Sequence, residues 1–308
     1  MRSAGPTQPL PRVLGFLPLL SPIWLILGGL FLLPLISIFA LSFASTGDFG
    51  YAQSIDSLEQ LWQHLRSGEF LSQYAASFRG GPLAILLRSL WIAALTTVLC
   101  ALISFPLAYY IAVRAPQRYR SLLLILAVLP FWTSFVIRTY AWVVILRPEG
   151  LVNTLLMNLD LIAEPLPLMY NELAVMIGLV YGELPFMILP LYASLEKLDG
   201  SLLEASADLG AGGWATFRRI TLPLSLPGLV AGSVLVFIPS VGQYVVSDML
   251  GGSRSLLVGN LIQNQFAGAG AGDRPFGAAL AFQLTAVVLL IVWLYARWSH
   301  RRRDEVMV

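Results

Sequence analysis

The chain has 308 residues, 57% of them apolar or aromatic and only 12% charged, against about 25% charged in an average soluble domain. A mean hydropathy of +0.76 makes a cytosolic enzyme a poor fit and an integral membrane protein the natural one. The net charge of +2 gives no general attraction to nucleic acid, the single Cys100 rules out a disulfide framework, and two histidines, His64 and His300, are too few for a histidine metal cluster.

A helix needs about 20 mostly apolar residues to cross about 30 Å of hydrocarbon. Six stretches qualify, and they predict an all-α integral membrane fold of six transmembrane helices in one transmembrane domain, 1–308. The first, Phe16–Phe43, follows Arg2 and Arg12 but is too long for the apolar core of a secretory signal. The others are Ala84–Val113, Ser121–Leu146, Glu172–Leu195, Gly228–Met249 and Gly277–Trp298. With both termini cytoplasmic, the inner segments carry twelve basic residues against six acidic, and the rest of the chain seven against eleven. Because basic residues stay on the cytoplasmic side, cytoplasmic termini are the expected topology.

Three outer loops follow from this count: Ala44–Leu83, Arg147–Asn171 and Leu250–Phe276, the last with a Gly-Ala stretch at Ala267–Gly272. Inside, Arg114–Arg120 is a short turn, whereas residues 196–227 form the longest inner loop and carry local order of their own. Ser201-Leu202-Leu203-Glu204 reads as a capping box, serine hydroxyl to glutamate amide and glutamate carboxylate back to serine amide. That helix is expected to run to about Leu209 and stop at Gly210, a suitable left-handed cap. A second short helix, Trp214–Ile220, would present Trp214, Phe217 and Ile220, end at Leu222-Pro223, and lead through Pro227 into the fifth span. Such a knob suits either an interfacial hairpin against headgroups or a contact for a soluble partner.

The string Glu204-Ala205-Ser206-x-x-x-Gly210, then nine residues, then Ile220-x-Leu222-Pro223 resembles the EAA loop of ABC importer permeases at every spacing, with Ser206 where alanine is usual. A six-span chain with this loop between spans four and five resembles the type I (MetI-like) importer fold. The resemblance implies that the loop is a coupling helix seated in an ATPase subunit, with Glu204 as the acidic contact and Gly210 as the turn. The chain holds one lysine, Lys197, in a context that excludes a phosphate-binding loop of the G-x-x-x-x-G-K-[ST] type. The reading is therefore not an enzyme: ATP and Mg are expected on partner ATPase subunits, with no cofactor or metal in this chain.

Further strings resemble spermidine/putrescine importer permeases, most closely the first of their two permease subunits. They are Leu129-Pro130-Phe131-Trp132-Thr133, Ile137-Arg138-Thr139-Tyr140, Leu184-Pro185-Phe186-Met187, Leu195-Glu196-Lys197-Leu198-Asp199 and Val245-Val246-Ser247-Asp248-Met249-Leu250-Gly251-Gly252. The implied partners are a second permease, two ATP-binding subunits, an extracytoplasmic substrate-binding protein and the lipids of a bacterial inner membrane. Permeases for opines, aminophosphonates or thiamine share parts of these strings. An ion-coupled secondary transporter is the reading from another class.

A polyamine path needs carboxylates, carbonyl oxygens and aromatic faces, the last through cation–π attraction. Asp248 is expected near the outer mouth, Tyr244 one turn below it, and Phe237 further in. Pro239 is expected to interrupt the helix near mid-membrane and free a carbonyl. Each has a plainer reading: an interfacial acid, a belt aromatic and an ordinary kink. Arg138 and Glu183 are charges deep in spans three and four, where each costs about 2.5–3.5 kcal/mol unless it faces protein or water. They suit a mutual ion pair, or Glu183 suits an ammonium site or a protonated acid. Arg88 is expected to snorkel outward, and Trp142 to belong to the interfacial belt.

Overall fold

A computed structural model describes residues 17–44, 47, 71–267 and 272–306. Arg2, Arg12, His64 and most of the stretches Ala44–Leu83 and Ala267–Gly272 lie outside the described residues, as do the side chains of residues 298–306. The described residues form helices and no strand. In chain order these are α1 (Leu17–Leu41), α2 (Ser72–Ser77), α3 (Gly80–Tyr109), α4 (Gln117–Val128), α5 (Phe135–Leu146) and α6 (Leu151–Asn158). Then come α7 (Glu172–Leu195), α8 (Gly200–Asp208), α9 (Gly213–Thr216), α10 (Leu222–Gly242), α11 (Val258–Ala267) and α12 (Arg274–Val306).

Four segments are long and apolar enough to cross a membrane: Gly80–Arg114, Glu172–Leu195, Gly213–Gly242 and Arg274–Tyr295. The expected third span is broken. Gln117–Trp132 and Phe135–Asn158 meet at 88°, so the pair is one bent span or a re-entrant loop. The expected first span is helical over Leu17–Leu41, and its fully described part, Gly28–Leu41, is apolar. The count of six is thus met in part.

The core is a three-helix packing of α3, α7 and α10. Cys100 and Ala108 of α3, Met187, Leu191 and Leu195 of α7, and Val236 of α10 are buried in one cluster. Lipid tails are as apolar as leucine, so contact distance rather than water exclusion holds such helices together. Gly228 and Gly232, four apart on α10, provide the close approach. A β-carbon at Gly228 would collide with the Pro190 carbonyl, and one at Gly232 with Met187 of α7.

A second cluster lies toward the outer loops, where Val143 and Leu146 of α5 and Val175 and Leu179 of α7 pack with Val246, Leu250 and Leu257. Trp142 packs against this cluster, edge-on to Tyr181 at 5.5 Å, and is not a free belt aromatic. The buried Asn153 donates to the Arg147 and Leu166 carbonyls and accepts from the Leu166 amide, which closes the loop after α6. Asn171 caps α7, its carboxamide oxygen accepting from the Ala174 amide at 2.9 Å. Arg88 does not snorkel freely: it pairs with Glu172 at the start of α7.

Candidate coupling and translocation site

The inner loop folds as two short helices at a glycine turn. The helix α8 begins at Gly200, not at Ser201, because Asp199 is the cap: its carboxylate accepts from the Ser201 amide at 2.9 Å. The expected capping box is therefore not formed. A carboxylate at the N-terminus also meets the positive end of the helix dipole, which a serine hydroxyl does not. Hydrogen bonds from Ser201 hold the Asp199 carboxyl below the usual carboxylate range. Glu204 is left exposed on the first turns of α8.

The stop at Gly210 is as expected. Its φ is +73°, a left-handed conformation in which a β-carbon is costly, and the Ala211 amide returns to the Ser206 carbonyl at 3.0 Å. Beyond the turn the chain departs from expectation. The helix α9 passes through a π turn, Phe217–Thr221, straight into α10. Leu222-Pro223 does not end it. A π turn shifts the hydrogen-bond partner by one residue, and Pro223, which has no amide to donate, is tolerated just after it in the first turn of α10. Of the three expected rim residues only Trp214 stands out, at 73% exposed. Phe217 and Ile220 are half-buried, and Phe217 lies edge-on to Phe105 of α3 at 5.3 Å.

Of the residues expected to couple and their neighbours, Glu204, Ala205 and Gly210 are exposed, Ser206 and Thr221 are buried, and Leu222 and Pro223 are half-buried. A cavity of about 1050 Å³ lies between this loop and the inner half of α3, lined by Phe105, Tyr109, Arg114, Glu204, Thr216 and Phe217 among others.

At the other end, the fifth span finishes earlier than expected. The helix α10 stops at Gly242, and Gln243 is extended. Asp248 and Tyr244 are both exposed and adjacent, the Asp248 amide donating to the Tyr244 carbonyl at 2.8 Å. Asp248 belongs to a separate π turn, Ser247–Gly251, and not to the span. Asn260 braces this corner by donating to the same Tyr244 carbonyl at 3.1 Å while accepting from the Leu257 amide. Ser89 of α3 accepts from the Val258 amide at 2.8 Å. Neither polar brace stands out in the sequence, because each partner is distant along the chain.

Pro239 does not interrupt α10; the helix runs through it and ends one turn later. Its ring is exposed, and Phe237 is half-buried against Leu86, Val241 and Val288. Glu183 lies elsewhere, 4% exposed on α7. Arg138, 9% exposed, is close enough to feel its charge, but the described residues include no ion pair between them. Glu183 Oε2 and Arg138 Nε and Nη1 have no hydrogen-bond partner. The Arg138 guanidinium instead lies over the rings of Phe131 at 5.0 Å and Phe135 at 5.7 Å, one from each limb of the bent span.

Residues 104–304, which hold the coupling loop and both ends of α10, match the family model described as a binding-protein-dependent transport system inner membrane component. The chain belongs to that family. It is an integral inner-membrane permease component of such a transport system. It is 43% identical over 210 residues to the spermidine/putrescine transport system permease protein PotB of Haemophilus influenzae, covering 68% of this chain and 72% of that protein. Against PotB of Escherichia coli the identity is 42% over 222 residues, covering 72% and 80%. The all-helical permease fold is shared with a crystal structure of a bacterial ABC transporter involved in the import of the acidic polysaccharide alginate. There the TM-score is 0.65 at 18% identity, covering 94% of this chain and 99% of that one.

Proposed function

We propose that this permease imports polyamines of the spermidine/putrescine class, driven by ATP that partner subunits hydrolyse. The observation that carries the reading is the identity of 42–43% to two PotB proteins over about two-thirds of the chain, with the coupling loop folded as a two-armed element. A binding protein delivers the cation to the outer corner, where Asp248 offers a carboxylate and Tyr244 an exposed ring for cation–π contact. Phe237, Pro239 and Glu183 continue the path inward. The permease pairs with a second, similar permease. Two ATP-binding subunits, which carry the ATP and Mg, engage Glu204, Ala205, Ser206 and Gly210 from the cytoplasm, where both termini also lie. Ile220, Leu222 and Pro223 join that element to α10.

The test is reconstitution of the whole transporter in liposomes with its binding protein. Spermidine should raise ATP hydrolysis and accumulate inside the vesicles. Hydrolysis indifferent to the binding protein with spermidine would overturn the assignment.

A further inference from the structure

The two arms of the coupling loop meet through a side-chain contact. The Ser206 hydroxyl of α8 and the Thr216 hydroxyl of α9 are 2.8 Å apart. Ser206 is 7% exposed, so water competes poorly for this bond. Thr216 also donates weakly to the Gly212 carbonyl, at 3.4 Å. The backbone fixes the end of α8, where the Gly210 and Ala211 amides return to the Ala207 and Ser206 carbonyls, but among the described residues no backbone hydrogen bond runs from α9 to α8. Gly210 and Gly212 fall in the turn and Gly213 opens α9, and a β-carbon added at any of them would meet open space. Glycine carries the largest conformational freedom of any residue, so three of them make a hinge rather than a corner.

We propose that the Ser206–Thr216 hydroxyl pair is the strut that lets the coupling loop move as one piece, which makes both residues positioning residues for energy coupling. The inference rests on the transport reading above. A push on α8 reaches α10 only if α9 follows α8. Beyond α9 the path is continuous, since Gly213–Gly242 is a single helical segment that ends beside Tyr244. An alanine at Ser206 would leave the Thr216 hydroxyl with only the long bond to Gly212, and the glycine hinge would absorb part of the stroke.

The test measures solute imported per ATP hydrolysed by the reconstituted complex with its binding protein and spermidine, at matched content of assembled complex. Ser206→Ala and Thr216→Val should each lower that ratio about fivefold, the factor that a net hydrogen bond of about 1 kcal/mol carries. The double variant should fall no further, since both changes remove one interaction. Thr216→Ser keeps the hydroxyl and should restore the ratio. A Ser206→Cys/Thr216→Cys chain should couple poorly when reduced and recover on oxidation. Unchanged ratios in the single variants, additive losses, or failure of Thr216→Ser would overturn the strut. So would transport that stops when the arms are cross-linked. Amide exchange over residues 207–215 reads the strut without any transport: it should rise about fivefold in Ser206→Ala, and an unchanged rate refutes the proposal. A wild-type complex that ignores spermidine would instead sink the transport reading, leaving the exchange result to decide the strut.

Discussion

Arg88 Nη2 lies 2.6 Å from Glu172 Oε1 and ties the N-terminal part of α3 to the first turn of α7. The pair is partly open to solvent, with side-chain exposures of 30% and 56%. Exposed pairs of this kind contribute about 0–1 kcal/mol. Arg88 Nε, however, is buried without a partner. Glu172→Gln strands that charge, whereas Arg88→Leu removes it, and a stranded partner is the costlier outcome. Thermal unfolding in detergent should therefore show Glu172→Gln as the less stable variant, by under about 1 kcal/mol. The gap should narrow in high salt as the pair is screened. A larger loss in Arg88→Leu would contradict this account.

The cap on α8 titrates. The Asp199 carboxyl is held below its ordinary range by its hydrogen bonds with Ser201. Its contribution is complete above the unfolded-state value, near pH 4, and is lost as the pH falls through the lower folded value. Amide exchange at Ser201 and Leu202, corrected for intrinsic rates, should show protection that declines below about pH 4 in the native chain. Asp199→Asn keeps an acceptor but does not ionise, so its protection should be flat across the same range.

Because Asp199 and not Glu204 starts the helix, Glu204 is free to serve a partner. Glu204→Ala should leave the protection of α8 intact and lower spermidine-stimulated ATP hydrolysis about tenfold or more. That is the scale of a lost charged hydrogen bond, about 1.5–3 kcal/mol. Glu204→Gln should fall nearly as far, since the charge is what is removed. Loss of helix protection in Glu204→Ala would return the residue to a capping role.

Glu183 has a buried oxygen with no hydrogen-bond partner, and the nearby Arg138 charge offsets the cost of its burial only in part. Glu183→Gln should raise the thermal midpoint of the purified permease while slowing spermidine uptake. A stability gain of about 1–2 kcal/mol is the expected scale for relieving a buried, imperfectly paired charge. Uptake that is unchanged would remove Glu183 from the path.

Gly228 lets α10 pass close to α7. Gly228→Ala places a methyl group against the Pro190 carbonyl and the Ser194 side chain. Overpacking of this kind costs about 1–3 kcal/mol. The yield of folded protein in detergent and its thermal midpoint should both fall. Gly242→Ala, where a β-carbon meets nothing, is the matched control.

Four of the six expected spans were legible because about 20 apolar residues in a row admit few alternatives. The Gly210 stop was legible because a left-handed residue at a helix end is a local requirement. The features that local sequence hides are set by contacts from afar. Pro130 marks a kink, but local sequence does not give the 88° break, across which Arg138 lies over both Phe131 and Phe135. The early end of α10 depends on Gly259, whose missing side chain admits the Gly242 carbonyl. Asp199 and Ser201 are both capable caps two residues apart, and charge decided between them. The continuity through Pro223 rests on a π turn, which apolar periodicity does not encode. Gly228-x-x-x-Gly232 and Gly178-x-x-x-Gly182 were packing signals open to a reader of the sequence, because small residues at that spacing mark close helix contacts.

The bend at Thr133-Ser134 also says what its surroundings are. Both residues are exposed, and neither belongs to a helix. Hydrocarbon offers nothing to an amide or carbonyl that has left its helix, so backbone of this kind at membrane depth survives only beside protein or water. At membrane depth an exposed elbow of this kind, with Trp132 projecting from it at 79% exposure, calls for polypeptide or water beside it rather than acyl chains.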